Sequence, residues 1–133
     1  MFILRAQNVV GASPPPNYRI AADPGLLIQP VHVHAQLESA VVYDLSAALT
    51  EELTIKDGAP VQSNFYEYQV LRMADMPEIH TRIVHSDAPP TGVGEVGVPS
   101  VAPAIANAVF RLTGKRLRQL PMSPDRVRAV LKA

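Results

Sequence analysis

Residues 30–58, PVHVHAQLESAVVYDLSAALTEELTIKDG, decide how the rest of the chain is read. Val33, Leu37, Val41, Leu45 and Leu49 recur every fourth residue. At about 100° per residue they make one slowly drifting apolar stripe, which predicts a helix over residues 31–49. Pro30 suits the start of that helix, because the amide hydrogen it lacks would have no partner there. Beyond the helix, Leu53–Lys56 reads as a strand entering a tight turn at Asp57-Gly58, and Val61–Tyr68 reads as the returning strand.

On the N-terminal side, Tyr18–Ala22 and Leu26–Ile28 are short strand-like runs broken at Asp23-Pro24-Gly25. Pro14, Pro15 and Pro16 impose extended backbone and block helix, so residues 1–17 are expected to be an irregular lead-in, and residues 18–133 the folded domain. The apolar run that opens the chain is too short to cross a bilayer and weak as a signal peptide. On the C-terminal side, Leu71–Met76 reads as a short turn or helix closed by Pro77. Ile79, Thr81, Ile83 and Val84 supply a strand that ends at Asp87-Ala88-Pro89-Pro90. A glycine-rich loop then leads to Pro103, the expected first residue of a second helix. Its apolar face is Ile105, Ala106, Val109, Phe110 and Leu112, and it ends at Thr113-Gly114. Ser123-Pro124-Asp125 opens a short third helix carrying Val127, Val130 and Leu131. Strands and helices without strict alternation, and without an internal repeat, predict an α+β fold: a mixed sheet with packed helices.

The composition narrows the chemistry. With 133 residues, of which 47% are hydrophobic, the chain can bury a core of one domain. Twelve basic residues balance twelve acidic ones, and KRLR at 115–118 is the strongest local concentration, which argues against nucleic acid or an anionic membrane as partner. There is no cysteine, so the chain offers no disulfide, no thiolate nucleophile and no ligands for a cysteine-bound iron–sulfur cluster.

The turn Gly92-Val93-Gly94-Glu95-Val96-Gly97 formally satisfies the dinucleotide pattern G-x-G-x-x-G. The pattern needs a strand immediately before it, a helix immediately after it and an acid further on. Here Pro89 and Pro90 intervene, Pro99 is expected to delay the helix, and Arg116 stands where the ribose-binding acid belongs. Glycines also let backbone amides approach a bulky ligand and let a single side chain project from a tight turn, here Glu95. If buried among its apolar neighbours, such a carboxylate would have a raised pKa and could act as a general base near neutrality. The residues alone favour an exposed loop glutamate or a cap on the following helix, and more weakly allow an anion site on the glycine loop with Lys115 and Arg116 nearby. Gln36 reads as an ordinary polar residue of an amphipathic helix. His32 and His34 point to different faces of it, with no acid or cysteine to complete a metal shell, and His80 and His85 read as exposed strand-side histidines.

Several separated motifs occur in a fixed order: HAQLESAVVYDLSAAL (34–49), TIKDG (54–58), VQSNFYEYQVLRMADMPEI (61–79) and PPTGVGEVGVPSVAPAIANAVFRLTGKRLRQLP (89–121). Together they resemble the molybdenum-binding large subunits of the aldehyde oxidase and xanthine dehydrogenase family, most of all isoquinoline 1-oxidoreductase beta subunits. The resemblance covers roughly residues 18–121.

By that resemblance the chain is the second, C-terminal molybdopterin-binding domain of a molybdenum hydroxylase, an incomplete large subunit. Glu95 takes the place of the base that activates the water-derived nucleophile. Gln36 takes that of a glutamine contacting molybdopterin, and Gly92, Val93 and Gly94 complete the cofactor contact. An amide side chain suits a pterin edge because it offers donor and acceptor together. Ser39 stands where the family has glycine, and Ala22-Asp23-Pro24-Gly25 and Gln29-Pro30 replace its D-C-G and N-P elements. The implied cofactor is molybdenum–molybdopterin in a dinucleotide form, shared with an upstream domain. The implied partners are that domain, an iron–sulfur small subunit, and an aldehyde or N-heterocyclic substrate hydroxylated with oxygen from water. The competing reading is a non-catalytic remnant or association module, because half of a cofactor site cannot perform the reaction. Asn64, Phe65, Tyr68, Arg72 and Met73 belong to the strongest signature without a chemistry of their own, and packing or subunit contact is their expected use.

Overall fold

The computed structural model describes residues 17–132 in full and residues 2–7 as backbone. A three-stranded sheet has the order β1 (Phe2–Gln7), β2 (Asn17–Ala22), β5 (Glu78–Ile83). β1 runs antiparallel to β2, with Leu4 opposite Ile20, and β2 runs parallel to β5, with Ile20 opposite Thr81. The sheet is therefore mixed. Phe2–Gln7 forms a strand where an irregular lead-in was expected. The run Phe2-Ile3-Leu4 carries strand-forming side chains, and its pairing with β2 supplies the rest. The proline cluster at 14–16 lies outside the described residues.

α1 (Pro30–Leu49) begins at the expected proline and buries Val33, Leu37, Val41 and Leu45, the stripe read from the sequence, with Ala40, Ser46 and Ala48 beside it. α2 (Val98–Thr113) buries Val101, Ile105 and Val109. The two helices pack on each other, α1 over β5 and α2 over β1. Between them and the sheet lies the core, to which β2 contributes Tyr18, Ile20 and Ala22. Arg19, between them in sequence, is exposed on the other face, as strand alternation requires. β5 follows the same rule, with Ile79 and Ile83 against the core and Glu78, His80 and Arg82 outside. Burial of Tyr18 pushes its phenol up to about 12. α3 (Pro124–Lys132) lays Val127 and Val130 against the core, and the backbone N–H of Met122 donates to the Ala48 carbonyl at 2.6 Å, tying the preceding loop to the end of α1.

Three elements depart from the sequence reading. α2 starts at Val98, five positions before Pro103, so Pro99 sits in its first turn and delays nothing. The Asp44 carboxylate of α1 accepts the Ala102 N–H at 3.0 Å, supporting the turn that precedes the internal proline. The hairpin shrinks to β3 (Ile55–Lys56) and β4 (Ala59–Pro60) around Asp57-Gly58, and Val61–Tyr68 is not a strand. There the Glu67 carboxylate accepts bonds from the Ser63 N–H and hydroxyl, and the Asn64 carbonyl accepts the N–H groups of Glu67 and Tyr68. Local polar bonds of this kind displace a ladder. Leu26–Ile28 is likewise no strand: Gly25 turns at φ +75°, and the Leu26 N–H donates to Ala88. Met73–Asp75 is a single 3₁₀ turn, within the expected 71–76.

Candidate cofactor site

The glycine turn is fixed from behind. A β-carbon at Gly97 would lie 2.9 Å from the Ala40 Cβ and 3.0 Å from the Ile20 Cδ1, so the missing side chain is what allows the turn to seat between α1 and β2. The Glu95 carbonyl accepts the Val98 N–H, and the Gly97 carbonyl accepts the Ser100 hydroxyl, so the turn passes directly into α2.

The front of the turn is open. A β-carbon at Gly92 or Gly94 would meet nothing within 4 Å, and neither residue has positive φ. Among the described residues, the N–H groups of Gly92, Val93, Gly94 and Glu95 donate to no protein acceptor. The fold itself therefore explains Gly97 but neither Gly92 nor Gly94. Free amides beside absent side chains are what a closely approaching polar ligand requires, so these residues fit a cofactor edge. Val93 and Val96 point inward and pack on the core. Glu95 is exposed, so the burial expected around its carboxyl is not found among the described residues.

Gln36 stands on the adjoining helix. It precedes Ala40 by four residues and so lies one turn earlier on the helix face that meets Gly97. Its amide is exposed. Ser39 is also exposed, and its hydroxyl takes no part in the packing of α1.

The loops that follow β2 and β5 are pinned together. The Asp23 carboxylate accepts the Ser86 hydroxyl at 2.6 Å and the Gly25 N–H at 3.2 Å, and these bonds, that of Ser86 first, hold its carboxyl below the usual carboxylate range. The Thr91 N–H donates to the Pro24 carbonyl. Ala22-Asp23-Pro24-Gly25 thus anchors the loop leading from β5 into the glycine turn, a supporting role that the sequence signalled only as a departure from the family pattern.

His34 shares a 2.5 Å hydrogen bond between its Nδ1 and the Thr81 hydroxyl, joining α1 to β5, and His80 sits 3.1 Å from the Glu78 carboxylate. Among the described residues, no three His, Asp or Glu side chains converge as metal ligands. Lys115 and Arg116 lie beyond the far end of α2, roughly 24 Å of helix away from the glycine turn. Arg116 stacks 3.7 Å from the centre of the Phe110 ring, so the anion site combining these residues with the turn is not assembled. The dinucleotide reading fails on the strand side: β5 ends at Ile83, well before Gly92, and no strand follows α2 among the described residues.

A sheet with two helices on one face, and a glycine turn that opens outward at the head of the second, make an α+β unit. The chain belongs to the molybdopterin cofactor-binding domain family, whose profile it matches over residues 10–77. It is 44% identical over 120 residues to the isoquinoline 1-oxidoreductase beta subunit of Brevundimonas diminuta, covering 90% of this chain and 15% of that protein. It is 41% identical over 105 residues to a membrane-bound aldehyde dehydrogenase of Gluconacetobacter polyoxogenes, whose name specifies pyrroloquinoline-quinone, covering 79% of this chain and 14% of that one. Its fold matches quinoline 2-oxidoreductase from Pseudomonas putida 86 with a TM-score of 0.79 at 22% identity, over 87% of this chain and 16% of that one. The chain therefore spans about 15% of the length of the curated relatives it matches. No helix among the described residues is long and apolar enough to cross a membrane.

Proposed function

We propose that the chain forms one wall of the active site of a molybdenum hydroxylase that oxidises an aldehyde or N-heterocycle with oxygen from water. The observation that carries this reading is the turn 92–97: closed behind by Gly97, open in front at Gly92 and Gly94, with unpaired amides and an exposed carboxylate at Glu95. Molybdenum–molybdopterin, in a dinucleotide form, would supply the two-electron redox chemistry when bound.

The chain's own residues bind, orient and move a proton. Gly92, Val93 and Gly94 offer backbone donors at close range, and Gln36 offers an amide donor and acceptor from the adjoining helix face. Glu95 accepts the proton of the attacking oxygen. It is exposed here, and the remainder of a large subunit would exclude water around it. The cofactor's second wall lies on an upstream domain, and electrons pass to an iron–sulfur small subunit.

Reconstitution with the remainder of a large subunit and its small subunit provides the test. Molybdenum and pterin should be retained in equal amounts. Glu95→Gln should keep both while lowering turnover by about 10²–10⁴-fold. Unchanged turnover in that variant would reject the base assignment. Retention of a quinone in place of pterin would reject the cofactor.

The exposed apolar segment within residues 51–76 favours a second reading for the chain by itself, an association module without activity. It predicts that the separate chain holds no molybdenum at all.

A further inference from the structure

β2 places a tyrosine in the core, and its polar end has no use within the fold. Tyr18 is 1% exposed, yet among the described residues its hydroxyl has no hydrogen-bond partner, and the oxygen is not sealed off either. A buried hydroxyl without a partner is costly, so a native fold normally supplies one. Tyr18 instead lines a cavity of about 640 Å³, together with Leu45 and Leu49 of α1, Ile105 and Val109 of α2, and Val127 of α3. That volume is typical of a small-molecule site, which is mostly apolar with a few placed polar groups.

The polar groups around the cavity define what it can hold. Of the polar side chains that border it, Tyr18 alone is buried, while Thr50, Gln69, Arg72, Asp75 and Arg128 are exposed at its mouth. The Thr50 hydroxyl donates to the Ser46 carbonyl, the Gln69 amide donates to the Tyr66 carbonyl, and Arg128 pairs with Asp125. Arg72 and Asp75 carry opposite charges, so the mouth selects neither sign. Inside, burial pushes the Tyr18 phenol up to about 12, which keeps it a neutral donor at any ordinary pH. An ion entering the cavity would lose its hydration without meeting a counter-charge, whereas an uncharged acceptor would supply the partner that Tyr18 lacks.

We propose that this cavity binds an uncharged, mostly apolar molecule with one hydrogen-bond acceptor, of the aromatic ketone class, which accepts from the Tyr18 hydroxyl. The cavity is separate from the glycine turn. Gly97 meets α1 at Ala40, whereas Leu45 and Leu49 lie roughly 8–14 Å further along that helix. The proposal therefore stands whether or not the turn holds a cofactor.

Benzophenone and diphenylmethane test it on the full chain, because they differ in the acceptor and little in shape. In an NMR titration, benzophenone should shift the methyl signals of Leu45, Ile105, Val109 and Val127 and bind about tenfold more tightly than diphenylmethane. Tyr18→Phe removes only an unpaired oxygen, so it should melt where the parent does and abolish the difference between the two compounds. A second readout needs no variant. Irradiated benzophenone inserts into a neighbouring C–H bond, and the label should fall on Leu45, Val109 or Met122 of the cavity wall. Equal affinities in the parent, a difference that survives Tyr18→Phe, or label confined to Phe65 and Tyr66 on the outer surface overturns the proposal. Methyl signals that neither compound shifts overturn it as well, because the cavity is then closed to molecules of this class.

Discussion

Gly25 and Gly92 both stand in loops beside the candidate site, and their surroundings predict opposite outcomes for the same substitution. Gly25 has φ +75°, and an added β-carbon would collide with the Pro89 carbonyl and lie 2.5 Å from that of Ala88. Gly25→Ala should therefore lose about 1–2 kcal/mol from conformation alone, with the collision adding to it, read as a lower urea midpoint. Gly92 has neither constraint, so Gly92→Ala should stay within about 0.5 kcal/mol of the parent while lowering cofactor retention in a reconstituted complex. Unaltered retention would assign the open glycine to the loop alone. Asp23, beside Gly25, adds a pH dependence. Its carboxyl is held low by Ser86 and Gly25, so its contribution to stability is complete above the ordinary aspartate range and is lost as pH falls through the depressed folded value. Acid titration followed by unfolding should show this loss, and Ser86→Ala should reduce it.

At the scale of elements, α1 was legible because its apolar repeat is long and its burial follows that repeat residue by residue. α2 was legible in its end, where Gly114 adopts φ +71° and donates to Phe110, but not in its beginning. Pro103 reads locally as a first residue. What allows the helix to start earlier is a carboxylate 58 positions away, which takes the Ala102 N–H. Tertiary support of this kind leaves no mark in the local pattern. Asp44 is partly buried, and desolvation raises its pKa against the opposing bond from Ala102. Its charge therefore costs stability at neutral pH, a cost relieved as pH falls through the raised folded value, opposite in sign to Asp23. Asp44→Ala should lose about 1 kcal/mol through the missing acceptor. Asp44→Asn should keep the acceptor, match or exceed the parent at pH 7, and flatten the pH profile. A chemical denaturation series across pH separates the two. The hairpin was over-read for a related reason: Val61–Tyr68 carries strand-forming residues, but Asn64 and Glu67 close a local turn whose strength exceeds that of an unsupported strand.

At the scale of the whole molecule, the site was legible only as far as this chain owns it. The exposure of Glu95 and Gln36 follows from local turn and helix geometry, but their assignment to a cofactor rests on the family resemblance, because the residues alone read as an exposed loop carboxylate and an ordinary helix-face amide. The second wall that the proposed site requires in front of Glu95 is not among the described residues, so no local pattern could show it. That division has a thermodynamic consequence. Leu37 is fully buried between α1, α2 and the sheet, and Leu37→Ala should cost about 2–5 kcal/mol, a large share of the roughly 5–15 kcal/mol that holds a domain folded. A partner that binds the folded form alone adds about 2.7 kcal/mol at 100 times its dissociation constant, enough to offset much of that loss. The Leu37→Ala chain should therefore melt well below the parent by itself and recover when the rest of a large subunit is supplied at saturation. A Leu37→Ala chain whose melting point stays unchanged at saturation would show that the remainder of a large subunit does not bind the folded form.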